Sequence, residues 1–203
     1  MPYVLLSDSR KISLLKFLEK DRPITITYRA RELFEYPVLP VTNKHIWTVR
    51  TSNQLEKPRF VIIGLQTNRK SVNTSDASEF DNCNLRNVKL FLNSQYYPYH
   101  DLNLNIAQNQ YAIAYDMFAN FQSVYYNKEA EPILTRSQFI KRVPLIVIDC
   151  SKQNETLKNA PVDVRIEIES RDNFPENTSA YCLIIHDRIV QYTSGTGDVK
   201  KII

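Results

Sequence analysis

The sequence predicts an all-β protein: an antiparallel jelly-roll sandwich of about eight strands, with an N-terminal helix and one internal helix. Three observations lead there. Apolar and polar side chains alternate with period 2 in segments 24–30, 45–51, 87–93 and 162–169, as strands with one buried face require. Turns and long polar loops separate these segments without a strand–helix–strand rhythm, which argues for a sandwich rather than a parallel sheet. Among sandwiches, eight strands joined by long crossover loops suit a jelly roll. The 203 residues fit one domain, or two very small ones. No repeat, low-complexity tract or linker splits the chain, so one jelly-roll domain is placed at 23–203, behind an N-terminal helix and linker at 1–22.

The elements follow in order. SDSRKISLLKFLEK (7–20) reads as a helix: Ser7 to Ser9 offer a cap, and Ile12, Leu15 and Phe17 or Leu18 form an apolar stripe. Asp21-Arg22-Pro23 stops it. ITITYRARELFEY (24–36) opens with strand alternation and ends before Pro37 and Pro40, which cannot donate to a ladder. HIWTVRTS (45–52) sets Ile46, Thr48 and Arg50 against Trp47, Val49 and Thr51. RFVIIGLQT (59–67) is almost continuously apolar, as a strand covered on both faces would be. Residues 68–86 form a long polar loop, of the length that compact domains keep for function or leave disordered.

In NVKLFLNSQYYPY (87–99), Val88, Leu90 and Leu92 point one way and Lys89, Phe91 and Asn93 the other, before three tyrosines gather around Pro98. DLNLNIAQNQ (101–110) is a polar link. QYAIAYDMFANFQSVYY (110–126) is helical, with Tyr111, Tyr115, Phe118, Gln122 and Tyr125 on one face. RVPLIVIDC (142–150) is an apolar, β-branched strand. VDVRIEIES (162–170) alternates most clearly, with Val162, Val164, Ile166 and Ile168 inward and Asp163, Arg165, Glu167 and Glu169 outward. The stretch 179–202 gives a long apolar strand, a polar break at His186-Asp187-Arg188, a further strand at 189–192, a turn at 195–197 and a short tail containing Val199.

Composition bounds the function. Hydrophobic residues at 43% and charged residues at 24% are ordinary globular values. At roughly 70% burial of its unfolded surface, a chain this long needs no disulfide or metal to hold a core. No window nears ~18 consecutive apolar residues, and the start lacks a basic-then-apolar leader, so we expect neither membrane span nor secretion. Without a secretion route, the sequons at Asn73, Asn154 and Asn177 carry little weight. Cys83, Cys150 and Cys182 are odd in number and far apart, which fits buried free thiols. The net charge is +4, with 15 Lys+Arg against 9 Asp+Glu in residues 1–100 and 11 against 13 in residues 101–203. That excess is mild and unclustered, which argues against direct nucleic-acid binding.

No catalytic residue, metal ligand or cofactor is expected. Gly64, Gly195 and Gly197 are the only glycines, and they build neither a dinucleotide nor a P-loop fingerprint. His45, His100 and His186 stand alone, without the His-x-His pair of a metal-binding jelly roll. Cys182 and His186 share a strand face but lie roughly 13 Å apart along it, out of hydrogen-bond reach. Glu167 and Glu169 lie on a plain solvent face. The tyrosine-rich segments have two readings. Tyrosine supplies large, rigid, amphipathic area, so Tyr96, Tyr97, Tyr99, Asp101, Tyr111, Tyr115, Tyr125 and Tyr126 are candidates for an assembly interface. Alternatively, the tyrosines simply cover the end of the sandwich.

Four long motifs, in order, are KPRFVIIGLQTNRK, FDNCNLRNVKLFLNSQYYPY, PLIVIDCSKQNE and VDVRIEIES followed by NTSAYCLIIHDRIVQY. Together they resemble the C-terminal part of the double jelly roll capsid-type proteins of Polinton/Maverick elements and adintoviruses, which are integrated in many invertebrate genomes. The resemblance covers nearly the whole chain. It implies a structural protein with no catalytic residues to carry over, working in a virion capsid or inside the host cell. In that family two jelly rolls lie in tandem and three chains form a pseudo-hexagonal capsomer. The implied partners are therefore further copies in a trimer, a companion jelly roll and other capsid proteins. The chain departs from the family in length, with room for one roll. A jelly-roll module binding carbohydrate or another ligand through its aromatics is the alternative; it would stack them on one sheet face, whereas assembly places them on edges and loops.

Overall fold

The structure, a computed structural model, describes residues 4–20, 22–49, 58–70, 72–93, 95–152 and 162–202. Arg50, Thr51 and Ser52 of the expected strand, Asp21 of the helix stop and the sequon at Asn154 lie outside the described residues. Two compact units form: Met1–Ala30 with Asp187–Ile203, and Arg31–His186.

Nine strands and three helices are described. They are α1 (Asp8–Leu18), β1 (Ile24–Tyr36), β2 (Lys44–Val49), β3 (Pro58–Thr67), β4 (Leu85–Leu92), β5 (Gln95–Tyr97), α2 (Ala112–Tyr126), α3 (Arg136–Arg142), β6 (Ile146–Asp149), β7 (Val164–Ser170), β8 (Thr178–Tyr192) and β9 (Val199–Lys201). One sheet runs β1-β8-β3-β6 with β9 added on β8, and the other runs β2-β7-β4-β5. The pairs β2–β7, β3–β6, β3–β8, β4–β5, β4–β7 and β8–β9 are all antiparallel. The all-β antiparallel expectation therefore holds.

In the Arg31–His186 unit the inner faces of the two sheets make one core. Val61, Ile63 and Leu65 of β3, Ile146 and Ile148 of β6 and Ile184 of β8 meet Trp47, Val88, Leu90, Val164, Ile166 and Ile168 from the other sheet. The inward sets read from the alternation of β4 and β7 are the buried ones. β3 is apolar on both faces for a visible reason. Its even-numbered residues Phe60 and Ile62 form a second core with Val147, Leu183 and Ile185 of the same sheet and with Phe118, Phe121 and Tyr125 of α2. Helix α2 thus lies on the outer face of that sheet.

Three expectations need correction. The stretch 142–150 is not all strand: Arg142 ends α3, and β6 covers only Ile146–Asp149. α3 is a second internal helix, started by Thr135, whose hydroxyl accepts from the Gln138 amide while the Gln138 side chain accepts from the Thr135 N–H. No break falls at His186-Asp187-Arg188, because β8 runs on from Thr178 to Tyr192. In the other unit α1 forms as expected, but none of its residues is buried.

Candidate interaction site

The tyrosine stretch begins as a hairpin. Leu92 pairs Gln95, Phe91 pairs Tyr96 and Leu90 pairs Tyr97. The turn is made by Asn93 at φ 53°, a left-handed conformation that asparagine tolerates better than most residues. The Asn93 side chain also accepts from the Asp163 N–H at 2.9 Å, which ties the hairpin to the start of β7. Strand alternation then separates neighbouring tyrosines. Tyr96 is 42% exposed, while Tyr97 is 5% exposed and joins the core. The Tyr97 hydroxyl donates to Gln95 Oε1 at 3.0 Å, and burial, then Tyr99, pushes its pKa up to about 12.

A cis peptide joins Tyr97 to Pro98. The chain then folds back: the Leu102 N–H donates to the buried Asn87 side chain at 3.0 Å, and the Leu104 N–H donates to the Arg86 carbonyl at 2.8 Å. Asp101 pairs with Lys89 at 2.7 Å. That hydrogen bond, helped by Asn87, lowers its pKa from the ordinary value.

The remaining candidates belong to α2 or, for Tyr111, to its N-cap. Tyr111 is buried, and the Arg136 guanidinium sits 4.6 Å from its ring centre. The half-buried Tyr115 donates its hydroxyl to the Leu134 carbonyl at 2.9 Å. Tyr125 is buried and accepts from Arg31 Nη2 at 3.0 Å. Tyr126 is 57% exposed and Tyr99 is 65% exposed. The eight candidates thus divide. Tyr96, Tyr99, Asp101 and Tyr126 present surface. Tyr97, Tyr111 and Tyr125 face the interior, and Tyr115 is half-buried against Phe139 of α3.

One cleft of about 310 Å³ lies beside α2, and none of the eight candidate residues lines it. Pro98 and Leu102 form one wall. Ile113, Asp116, Met117, Asn120 and Val124 of α2 form the other, and Val147 to Asp149 of β6 lie along the floor. Ile113 and Val124 are exposed there. The sequence held a signal for this second α2 face, because positions 113, 117, 120 and 124 recur at helical spacing. The aromatic face of the same helix hid it. Asp149 is also part of the site; it closes an apolar strand, and nothing local in the sequence marks it.

Elsewhere several charges are paired. Glu167 pairs with Lys44 at 2.8 Å and Glu169 with Arg86 at 3.2 Å, on the outer face of the second sheet. Cys150 and Cys182 are buried, and burial raises both thiols, Cys182 to about 12. His45 lies on β2 with its pKa lowered by burial, His186 lies on β8 near Glu32, and His100 lies beyond β5. Among the described residues, no three His, Cys, Asp or Glu side chains converge as metal ligands, and no helix is long and apolar enough to cross a membrane.

Among solved structures, the chain is similar to the mavirus major capsid protein, at 12% identity and a TM-score of 0.43, over 91% of this chain and 42% of that one. It is also similar to the major capsid protein P2 of bacteriophage PM2, at 12% identity and a TM-score of 0.31, over 79% of this chain and 44% of that one. The chain therefore spans less than half the length of either protein. No curated protein matches it. The family model of the double jelly roll-like domain matches residues 1–190, and on that match, which takes in both sheets, the chain belongs to the double jelly roll-like domain family.

Proposed function

We propose that the chain is a structural assembly protein of capsid type. It is one jelly roll of the double jelly roll major capsid protein lineage, of the kind carried by Polinton/Maverick elements and adintoviruses, and it self-associates into trimer-like capsomers. Membership of the double jelly roll-like family supports the capsid role and a place in the virion. The observation that carries self-association is where the exposed tyrosines sit. Tyr96 is on the edge strand β5, Tyr99 follows it in a loop, and Tyr126 ends α2. Aromatics on edges and loops suit a protein interface, whereas a sugar-binding surface would stack them on one sheet face.

Replacing Tyr96 and Tyr99 with serine tests this reading without touching the buried Tyr97. Light scattering after size-exclusion chromatography should show a lower association state, with an unchanged far-UV circular dichroism spectrum. Unchanged association in the folded variant would remove the tyrosine hairpin from the interface. Glycan binding by a protein that never associates would favour a ligand-binding module.

A further inference from the structure

We propose that the cleft beside β6 binds an extended peptide segment of a second protein, which adds as a strand to the outer edge of β6 and carries an apolar side chain flanked by lysine or arginine.

The backbone register supplies the first argument. The Cys150 N–H donates to the Arg59 carbonyl at 2.8 Å, and Val61 and Ile63 pair with Ile148 and Ile146. In an antiparallel ladder every second residue bonds to the same neighbour. Ile146, Ile148 and Cys150 therefore aim their N–H and C=O groups at β3, and Val147 and Asp149 aim theirs the other way. The sheet ends at β6, and among the described residues no strand pairs with that side. Val147, Ile148 and Asp149 border the cleft, and of these Asp149 is the exposed one, so the open part of the edge lies there. An edge of this kind is a template for a further strand, whose main chain supplies affinity and whose alternate side chains supply specificity.

Shape and charge identify the occupant. At about 310 Å³, bounded by Leu102, Ile113, Met117 and Phe121, the cleft accepts an apolar side chain. Asp116 and Asp149 stand in the same cleft. The Ser151 N–H reaches one Asp149 oxygen at 2.8 Å, but among the described residues neither carboxylate has an ion-pair partner. A lysine or arginine beside the apolar anchor gains charge-assisted hydrogen bonds there, and a glutamate is repelled. The same charges disfavour a two-fold contact between copies through this cleft, since such a contact brings each patch against itself and sets carboxylates face to face. The site does not depend on the tyrosine contacts proposed above, because Tyr96, Tyr99 and Tyr126 do not line it.

The test uses the whole chain and two fluorescein-labelled, end-capped peptides, one alternating valine with lysine and the other alternating valine with glutamate. Fluorescence polarisation should show the lysine peptide binding on the order of tenfold more tightly. The double variant Asp116→Asn, Asp149→Asn should lose that preference. N-methylation of the lysine peptide's amides should weaken its binding and needs no change to the protein. The proposal is overturned if neither peptide binds the folded protein at about 1 mM, a level at which even weak sites fill. It is also overturned if the two peptides bind equally. Dissociation of a wild-type oligomer in the Asp116→Asn, Asp149→Asn variant would place a second copy in the cleft and overturn it as well.

Discussion

Tyr96 and Tyr97 are neighbours in sequence with opposite fates, one 42% and one 5% exposed. The cause is strand alternation within a three-residue strand, too short for its period to be read without the β4 partner that fixes it. Along β4 and β7 the same alternation spans seven or eight residues, and there the buried set was legible residue by residue. The buried Tyr97 hydroxyl gives a pH prediction. Its folded pKa, about 12, lies above the ordinary 10.0, so the fold favours the neutral phenol. That contribution is fully present below pH 10 and is lost as pH rises toward 12. Urea denaturation of Tyr97→Phe at pH 9 and pH 11 should show a smaller alkaline loss of stability than the wild type. Gly64 gives a second prediction. A Cβ there would lie 2.6 Å from both Leu145 Cδ2 and Phe80 Cδ1. Gly64→Ala should therefore cost about 1–3 kcal/mol by overpacking, measured by the same denaturation.

At the scale of elements, β3 shows how far sequence reasoning reached. Its nearly continuous apolar run pointed to cover on both faces, and the cover is the opposite sheet on one side and α2 on the other. What provides the second cover was not legible, because a run of apolar residues records burial and not its source. α3 was legible in principle. Thr135-Arg136-Ser137-Gln138 is the spacing of a capping box, but the helix behind it is seven residues long and shows no apolar repeat. Thr135→Ala should cost about 1 kcal/mol through the lost cap. Phe139 is fully buried, with its ring 5.0 Å from Phe118 and 5.6 Å from Tyr115. Phe139→Ala should cost about 3–5 kcal/mol and release α3 from α2, which amide hydrogen exchange across residues 112–142 would report. The polar loop after β3 is organised by Arg69, which donates to the Asp76 carbonyl at 2.9 Å and to Asp81 at 2.8 Å. Such pairings span up to twelve residues and leave no local pattern to read.

For the whole molecule, the two-sheet antiparallel fold was legible because period-2 alternation reports one buried face wherever a strand is long enough. The candidate site was legible only in part. The sequence nominated the tyrosine segment and α2, which meet the cleft through Pro98 and through Ile113, Met117, Asn120 and Val124, but its carboxylates and the outer edge of β6 come from pairing that no single segment encodes. The proposed capsid role gives the chain a use for exposed aromatics on edges, which a protein that stays alone would have to keep masked. Sedimentation velocity of the wild-type chain from micromolar to near-millimolar concentration tests that role most directly. The account predicts a weight-average mass that rises with concentration toward three chains. A sedimentation coefficient fixed at the monomer value across the whole range would contradict it.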